Sequence, residues 1–198
     1  MHEIDHLAWW GDLHQGGWML SPEALARLME LTPPPLPARR TANLHAAISQ
    51  LLEADPPSRK AYLHLIDLLL EDVLGYSHGW LKPSAIQANW TQTSLDGERI
   101  RPQRLWKGRT GGVLPVFLTE PQTSLSAGRG RRLGTKTVEW LRKQGQPLAL
   151  LTNGAQWRLI HAGPDQSAFV EWEAADFFES GNPALKLQGL RHVLGCHA

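Results

Sequence analysis

Two apolar runs on either side of Asn153-Gly154 constrain the fold more than any other feature of this chain. The runs read PLALLT before the pair and AQWRLIH after it. Asn-Gly is the strongest short-range hairpin signal, because both central residues of a tight primed turn need positive φ. The sequence therefore predicts a β-hairpin with strands at residues 147–152 and 156–161.

The alternation of side chains along a strand predicts how this hairpin packs. Trp157 and Arg158 are neighbours in the second strand, so they point to opposite faces of the sheet. We expect Trp157 to pack onto the helix that contains Val138 and Leu141, which leaves Arg158 on the other face. Since a slip of one residue would turn every side chain to the wrong face, the hairpin is predicted to hold the sheet in register.

Segments before and after the hairpin predict an α/β fold of the α+β type. One predicted helix begins at Pro22, after an N-cap at Ser21. Three further helices are predicted over residues 43–52, 59–74 and 135–144. Predicted strands run over residues 86–92, 102–106 and 113–119, with AFVEWE as a further strand. This order favours a mixed central sheet flanked by helices. We divide the chain into a helical N-terminal lead-in, residues 1–52, and an α/β domain, residues 53–198.

The composition favours a cytoplasmic protein. Cys196 is the only cysteine, so the chain cannot form an internal disulfide, which suits a reducing compartment. The first 20 residues contain no apolar run of signal-peptide length. The apolar stretch LHLIDLLLEDVLGY is interrupted by three acidic residues and does not fit a membrane span. We therefore expect no membrane partner.

Basic residues are concentrated in one part of the chain. Residues 99–143 contain 11 of the 20 Lys and Arg residues, against only Glu120 and Glu139. Such a local excess attracts phosphate backbones even when the net charge is close to zero. SLSAGRGRRLG predicts a Gly/Arg loop at a helix start, where backbone N–H groups and guanidinium groups can both contact phosphate. The predicted DNA contacts are Arg129, Arg131, Arg132, Lys136, Arg142 and Lys143. The alternative is a solvated face without a specific role.

Four sequence blocks carry a resemblance to a known family. They are GGWMLSPEALARLMEL, SRKAYLHLIDLLLEDVLGY, ERIRPQRLW followed by VLPVFLTEPQTSL, and VEWLRKQGQPLALLTNGAQWRLIHAG followed by AFVEWEAADFFE. Together they cover most of residues 16–194 and resemble the N-terminal region of Eco57I-type restriction-modification proteins, which carry an adenine-specific DNA methylase. The resemblance implies a PD-(D/E)XK nuclease fold, with a restriction-endonuclease-like mixed sheet. No Asn-Pro-Pro-Tyr-like methylase motif is present, so the chain contains no methyltransferase active site.

The nuclease fold builds its catalytic site from two carboxylates, which hold Mg²⁺, and a lysine. The resemblance places Gln103 at the first carboxylate position, and Glu120 and Gln122 at the second carboxylate and lysine positions. The implied catalytic set is therefore degenerate. The implied metal ligands are Glu120 and an acid on the preceding helix, Glu71 or Asp72. One dependable carboxylate makes a poor Mg²⁺ site, because such sites usually need at least two charged oxygens or substrate phosphates.

These features predict a catalytically degenerate, nuclease-like DNA-binding or docking module of a restriction-modification or phage-defence system. Its expected partners are the DNA backbone and an adenine methylase domain or another restriction or defence subunit, and it requires no cofactor. One alternative is an active Mg-dependent DNA endonuclease with an altered metal site. The other is a protein–protein interaction module that does not bind DNA. Trp9, Trp10 and Trp18 would suit a docking surface, or the helical lead-in could cover them.

Overall fold

The mixed sheet flanked by helices that the sequence predicts is present in the computed structural model, which describes residues 8–30, 33–81 and 83–196. The helices are α1 Ala8–Gly11, α2 Pro22–Glu30, α3 Ala38–Glu53, α4 Arg59–Asp67, α5 Gly128–Gln144 and α6 Leu185–Leu194. The strands are β1 His14–Gly16, β2 Trp80–Leu81, β3 Gln92–Thr93, β4 Arg99–Ile100, β5 Arg104–Lys107, β6 Val113–Leu118, β7 Leu148–Thr152, β8 Gln156–Ala162, β9 Ser167–Glu173, β10 Phe178–Glu179 and β11 Asn182–Pro183. In the part of the chain described, no helix has the length and apolar character needed to cross a bilayer.

The central sheet has seven strands in the order β1-β9-β8-β7-β6-β5-β2. Strands β6 and β7 are parallel, and α5 connects them, as parallel neighbours require a crossover. The other neighbours in this sheet are antiparallel. Because α5 returns the chain from the end of β6 to the start of β7, its N-terminus lies near the carboxyl end of β6.

Serine side chains cap two helices, at the predicted N-cap Ser21 and at Ser58, directly before the predicted helix start at residue 59. The hydroxyl of Ser21 accepts a hydrogen bond from the backbone N–H of Ala24 at 3.2 Å, and that of Ser58 accepts one from Ala61 at 3.1 Å. Helix α4 continues without a break into a π-helical segment, Leu68–Val73. The predicted helix over residues 59–74 is therefore confirmed in extent, although its last part has a wider turn than an α-helix.

The predicted strand over residues 86–92 is wrong. Its central residues form a 3₁₀ turn, Ala88–Trp90, in which the N–H of Trp90 bonds to the carbonyl of Gln87 at 3.1 Å. Trp90 is buried against Trp140, with ring centroids 5.8 Å apart, and its carbonyl accepts the indole N–H of Trp140. The segment is therefore held by packing against α5 rather than by strand pairing. The edge position next to β5 is occupied by β2.

Helix α5 begins at Gly128, whereas the sequence predicts a loop up to residue 134. Arg129, Arg131 and Arg132 therefore lie in the first turns of a helix rather than in a Gly/Arg loop. Each glycine lowers the stability of a helix by roughly 0.5–1 kcal/mol relative to alanine, and the glycines of this segment therefore predict a loop. At Gly130 a side chain has no room, since an added Cβ would lie 2.1 Å from the carbonyl oxygen of Ser124. Gly130 thus lowers the local helix propensity, but close packing against Ser124 requires a glycine at this position.

Apolar side chains form one cluster on each face of the sheet. The cluster on the α3 face joins side chains of the lead-in, such as Leu25 and Leu44, to Leu65 of α4 and Trp157 of β8. The cluster on the α5 face includes Trp140 and Leu141 of α5 together with strand residues Phe117, Leu151 and Ile160. The predicted boundary after residue 52 falls at the end of α3, and lead-in side chains share a core with the α/β part.

The predicted hairpin is confirmed, but its turn differs from the prediction. Of the loop residues between β7 and β8, Gly154 has positive φ, at +89°, and Asn153 does not. The Asn153 side chain acts instead: its Oδ1 accepts the N–H of Gln156 at 2.6 Å and its Nδ2 donates to the carbonyl of Thr123 at 2.9 Å. The turn is therefore held by an asparagine side chain rather than by a pair of left-handed residues.

The faces of the hairpin are the reverse of those predicted. Trp157 belongs to the α3 face, where Gly154 lies against Tyr62 and Leu51. Arg158 points to the other face, towards Gly134 of α5. Alternation along β8 is as expected, but it determines only that the two side chains separate, not which layer each of them meets.

Candidate nucleic-acid interface

The carboxyl end of β6, the start of β5 and the N-terminal half of α5 come together on one side of the sheet. The register pairs Arg104 of β5 with Val116 of β6, so the residues just before β5 and just after β6 lie side by side. Gln103 directly precedes β5 and Glu120 lies two residues after β6, and both line one cavity. The structure therefore brings together two positions that lie 17 residues apart in the sequence.

A cavity of about 490 Å³ opens at this point. Helix α4 contributes Arg59 and Tyr62 to its wall, and the sheet side contributes Arg101, Arg104 and Glu120. The hydroxyl of Tyr62 donates to the backbone carbonyl of Thr119 at 2.7 Å, and its burial raises the pKa of this phenol far above its usual value. Tyr62 is thus a neutral donor that ties α4 to the end of β6.

The amide of Gln103 is used within the sheet. Its carbonyl oxygen accepts the backbone N–H of Leu118 at 2.7 Å, and its NH₂ donates to the carbonyl of Arg101 at 2.9 Å. These bonds extend the β5–β6 pairing by a side chain. The oxygen that the resemblance offers as a metal ligand therefore already has a partner in the sheet.

The other implied catalytic residues do not gather around Glu120. Gln122 donates to the carboxylate of Asp55 at 3.0 Å and lines a different cavity. Glu71 lies on the π-helical segment, outside the lining of the Glu120 cavity, and partial desolvation together with Asp67 and Asp72 raises its pKa. Within residues 8–30, 33–81 and 83–196, no group of three His, Cys, Asp or Glu side chains could hold a metal ion.

A second cavity of about 370 Å³ continues from the first and shares Arg101, Gln103 and Glu120 with it. Its remaining basic lining comes from Arg99 of β4 and from Arg129, Arg132 and Lys136 of α5. We call the two joined cavities the arginine groove. Its arginines are Arg59, Arg99, Arg101, Arg104, Arg129 and Arg132, against the carboxylates of Glu98 and Glu120.

Several basic groups of the groove have partners in the protein. Arg101 donates to the carbonyls of Pro83 and Ile86 at 2.6 Å each, and Arg104 lies 3.5 Å from the carboxylate of Asp67. Lys136 is paired with Asp96 and Glu98. Among the residues that the structure describes, four exposed groove arginines have neither a side-chain hydrogen bond nor an ion pair, namely Arg59, Arg99, Arg129 and Arg132.

The six predicted DNA contacts therefore separate into groups. Arg129 and Arg132 share the groove, and Lys136 lies there but is neutralised. Arg131 and Arg142 line a separate cavity on the other side of α5. Lys143 donates to the carbonyl of Thr93 at 2.6 Å.

Of the four groove arginines without a side-chain partner among the described residues, Arg59 and Arg99 are absent from the predicted contacts. Arg59 follows the N-cap Ser58 and lies outside the basic stretch at 99–143, so local charge density gave no reason to choose it. Arg99 belongs to that stretch, but β4 was not predicted as a strand. Pairing of Arg99 with Thr93 in the β3–β4 hairpin brings it over α5.

The ion pair of Lys136 in the groove should be detectable through the pKa of its partner Asp96. Hydrogen bonds from Lys136, first, and from Ser94 lower the pKa of Asp96 from 3.8 to about 2. Because the folded value lies below the unfolded one, this contact stabilises the fold above pH 3.8 and is lost as the pH falls towards 2. We expect Lys136→Met to return the Asp96 pKa towards 3.8 in an NMR titration of the carboxyl carbon. Lys143→Met is the control and should leave it unchanged; an unchanged Asp96 in Lys136→Met would contradict the pairing.

The three N-terminal tryptophans do not form one surface. Trp9 is buried and fits against Gly189 of α6, where an added Cβ would collide with its ring. Trp10 is half-buried and contacts Trp172 edge to face. Trp18 alone of the three is largely exposed, at 75%. A docking surface made of all three is therefore wrong.

The arginine groove offers unpaired guanidinium groups along a path beside the end of β6. Guanidinium groups bind phosphate oxygens through paired N–H donors, and such contacts position nucleic acid without reading its sequence. Ligands of open sheets with parallel strands commonly bind at the carboxyl ends of those strands, and the groove lies at that end of β6. No protein-family model matches this chain, and no curated protein or solved structure shows significant similarity to it.

Proposed function

We propose that this protein is a nuclease-like DNA-binding module that has lost cleavage, and that it serves a restriction-modification or phage-defence system. The observation that carries the proposal is the arginine groove, in which four arginines have no side-chain partner among the described residues and line the end of β6. A DNA backbone supplies the phosphates that such groups bind, and an adenine methylase domain or another restriction subunit is the proposed protein partner.

The order of elements supports a restriction-endonuclease-like assignment. Helix α4 is followed by the antiparallel strands β2, β5 and β6, then by α5, and then by β7 parallel to β6. The succession is thus a helix, three antiparallel strands, a helix and a parallel strand, with β2 in place of the strand predicted over residues 86–92 and with the small β3–β4 hairpin inserted before β5. The groove lies beside the positions that the resemblance assigns to catalysis, which is where a nuclease holds its DNA.

The side chains at these positions favour binding without cleavage. Glu120 is the one carboxylate at the implied catalytic positions, while the amides of Gln103 and Gln122 already have partners. The groove carries more arginines than carboxylates, so it suits an anion better than a cation. Mg²⁺ would need further charged oxygens beside Glu120, and the other groove carboxylate among the described residues, Glu98, is paired with Lys136.

Two other functions make different predictions. An active Mg-dependent endonuclease is favoured by the exposed carboxylate of Glu120 in the middle of the groove. It predicts metal-dependent cleavage that Glu120→Ala abolishes. A pure protein-interaction module predicts that DNA does not bind at all, or binds without dependence on salt.

The binding test compares two triple variants. Arg99→Gln, Arg129→Gln and Arg132→Gln together remove three charges from the groove. Arg131→Gln, Arg142→Gln and Lys143→Gln remove the same number from residues of α5 outside it. Fluorescence anisotropy with a short DNA duplex at several salt concentrations measures both.

We expect the groove variant to bind DNA about tenfold or more weakly and to flatten the plot of log K against log salt by about 2–3, because each lost phosphate contact contributes about 0.9 to that slope. The control variant should keep the wild-type slope. Equal losses in both variants would contradict a specific groove. Cleavage in Mg²⁺ or Mn²⁺ that is lost in Glu120→Ala would overturn the non-cleaving assignment.

A further inference from the structure

A third cavity, of about 470 Å³, lies on the opposite side of α5 from the arginine groove. Its basic lining is Arg131 and Arg142 of α5 together with Arg158 of β8, and its apolar lining includes Val138 and Phe169. Of the residues described, none that lines it is acidic. We call it the Arg158 pocket. The proposed DNA-binding function does not use it.

The guanidinium of Arg158 has one donor left over. The side chain is only 5% exposed. Its Nε and Nη2 both lie 2.8 Å from the same carboxylate oxygen of Glu171, and Nη2 also donates to the hydroxyl of Ser126 at 3.0 Å. Its Nη1 has no hydrogen-bond acceptor among the described residues. Among the described residues, Trp172 Nε1 is the one fully buried side-chain polar atom without a partner, so Nη1 of Arg158 is accessible from the cavity and available to a ligand.

Nη1 faces the cavity at its floor. An added Cβ on Gly134, which also lines the cavity, would lie 3.6 Å from Nη1. The absence of a side chain at Gly134 therefore keeps this donor open. On the other side the guanidinium lies over the ring of Phe169, 4.2 Å from its centroid, which holds its plane in place.

The charge of the pocket matches a doubly charged anion. Glu171 neutralises Arg158, but the exposed Arg131 has no side-chain partner among the described residues. Arg142 uses its Nε on the carbonyl of Gly163 at 3.0 Å, which leaves its charge uncompensated. Two uncompensated guanidinium groups at the rim and one N–H donor at the floor complement a phosphate monoester.

We propose that the Arg158 pocket binds a small phosphomonoester that carries an apolar or aromatic body. The phosphate contacts Nη1 of Arg158, Arg131 and Arg142, and the body lies against Val138, Ile160 and Phe169. The cavity is within the range of roughly 300–1,000 Å³ that is usual for small-molecule sites.

Isothermal titration of the full chain with phenyl phosphate tests this proposal, with inorganic phosphate and phenol as the two separate parts. We expect phenyl phosphate to bind more tightly than either part. Arg131→Gln with Arg142→Gln should weaken its binding at least about tenfold, as expected for lost charged hydrogen bonds. The groove variant with Arg99, Arg129 and Arg132 changed to Gln is the matched control and should bind phenyl phosphate as the wild type does.

Gly134→Ala separates ligand access from folding. Its methyl group would rest beside Nη1 at an ordinary contact distance, and alanine favours a helix over glycine. We expect an unchanged or raised melting temperature together with weaker binding of phenyl phosphate. Unchanged binding in either this variant or the Arg131/Arg142 double variant would overturn the proposal. So would displacement of phenyl phosphate by a 5′-phosphorylated oligonucleotide but not by its unphosphorylated form, because the pocket would then be a site for nucleic-acid ends.

Discussion

Replacing Arg158 with alanine is expected to lower the free energy of unfolding by about 3–5 kcal/mol, because it leaves a buried carboxylate without its cation. Glu171 is only 2% exposed, and its Oε2 accepts both donors of the arginine fork. The other oxygen, Oε1, lies 3.2 Å from both His14 Nδ1 and Gln156 Nε2, so it is Oε2 that loses its partners. Urea unfolding followed by tryptophan fluorescence measures the change.

Two controls separate the destabilisation caused by an unpaired buried charge from that caused by the loss of an ordinary contact. Arg158→Met combined with Glu171→Leu removes both charges and should recover most of the lost stability, since replacing a whole buried pair by apolar residues is often neutral or stabilising. Lys186→Ala breaks an exposed ion pair with Asp176, 2.7 Å long, and should cost about 1 kcal/mol or less. A loss in Arg158→Ala no larger than that in Lys186→Ala would contradict the buried pair.

Trp157→Ala is expected to lower the free energy of unfolding by about 3–5 kcal/mol, as large-to-small changes of buried aromatic residues do. The side chain is fully buried on the α3 face, and its indole N–H donates to the carbonyl of Gly154 at 2.8 Å. The substitution therefore opens a cavity under α3 and α4 and frees the carbonyl of the hairpin turn. Urea unfolding followed by far-UV circular dichroism measures it without relying on the lost fluorophore.

Trp18→Ala is the matched control, because Trp18 is 75% exposed and should change stability by no more than about 0.5 kcal/mol. A small effect at Trp157 would mean that the hairpin does not anchor the α3 face.

Val138 provides a further check on the faces. Because it lies in the other cluster, Trp157→Ala and Val138→Ala should have additive effects.

Helix α5 separates two basic surfaces that its sequence merges into one. Arg129 and Arg132 face the arginine groove, whereas Arg131 and Arg142 face the Arg158 pocket. A variant that removed Arg129, Arg131 and Arg132 together would therefore disturb both surfaces at once. Separating them by face is what allows DNA binding and binding of a phosphomonoester to be tested independently.

The candidate site illustrates how far local signals reach. The density of arginine between residues 99 and 143 predicted a basic surface, and the groove contains several of its members. Arg59 could not be found that way, because it enters the groove from α4, 40 residues before Arg99. The sequence also predicts Lys136 as a phosphate contact. Its ion pair could not be predicted, because only the fold brings Asp96 within 2.7 Å of its ammonium group.

The sequence by itself determined those features that depend on neighbours along the chain. Ser21 and Ser58 cap their helices, Asn153-Gly154 makes a turn, and Trp157 and Arg158 point to opposite faces, because the responsible contacts span only a few residues. The tertiary structure decided what lies on each face. It placed Trp157 under α3 rather than α5, and began α5 at Gly128 despite three glycines. The physical reason is that burial and close packing, as at Gly130 against Ser124, outweigh the local cost of glycine and involve residues that no local pattern connects.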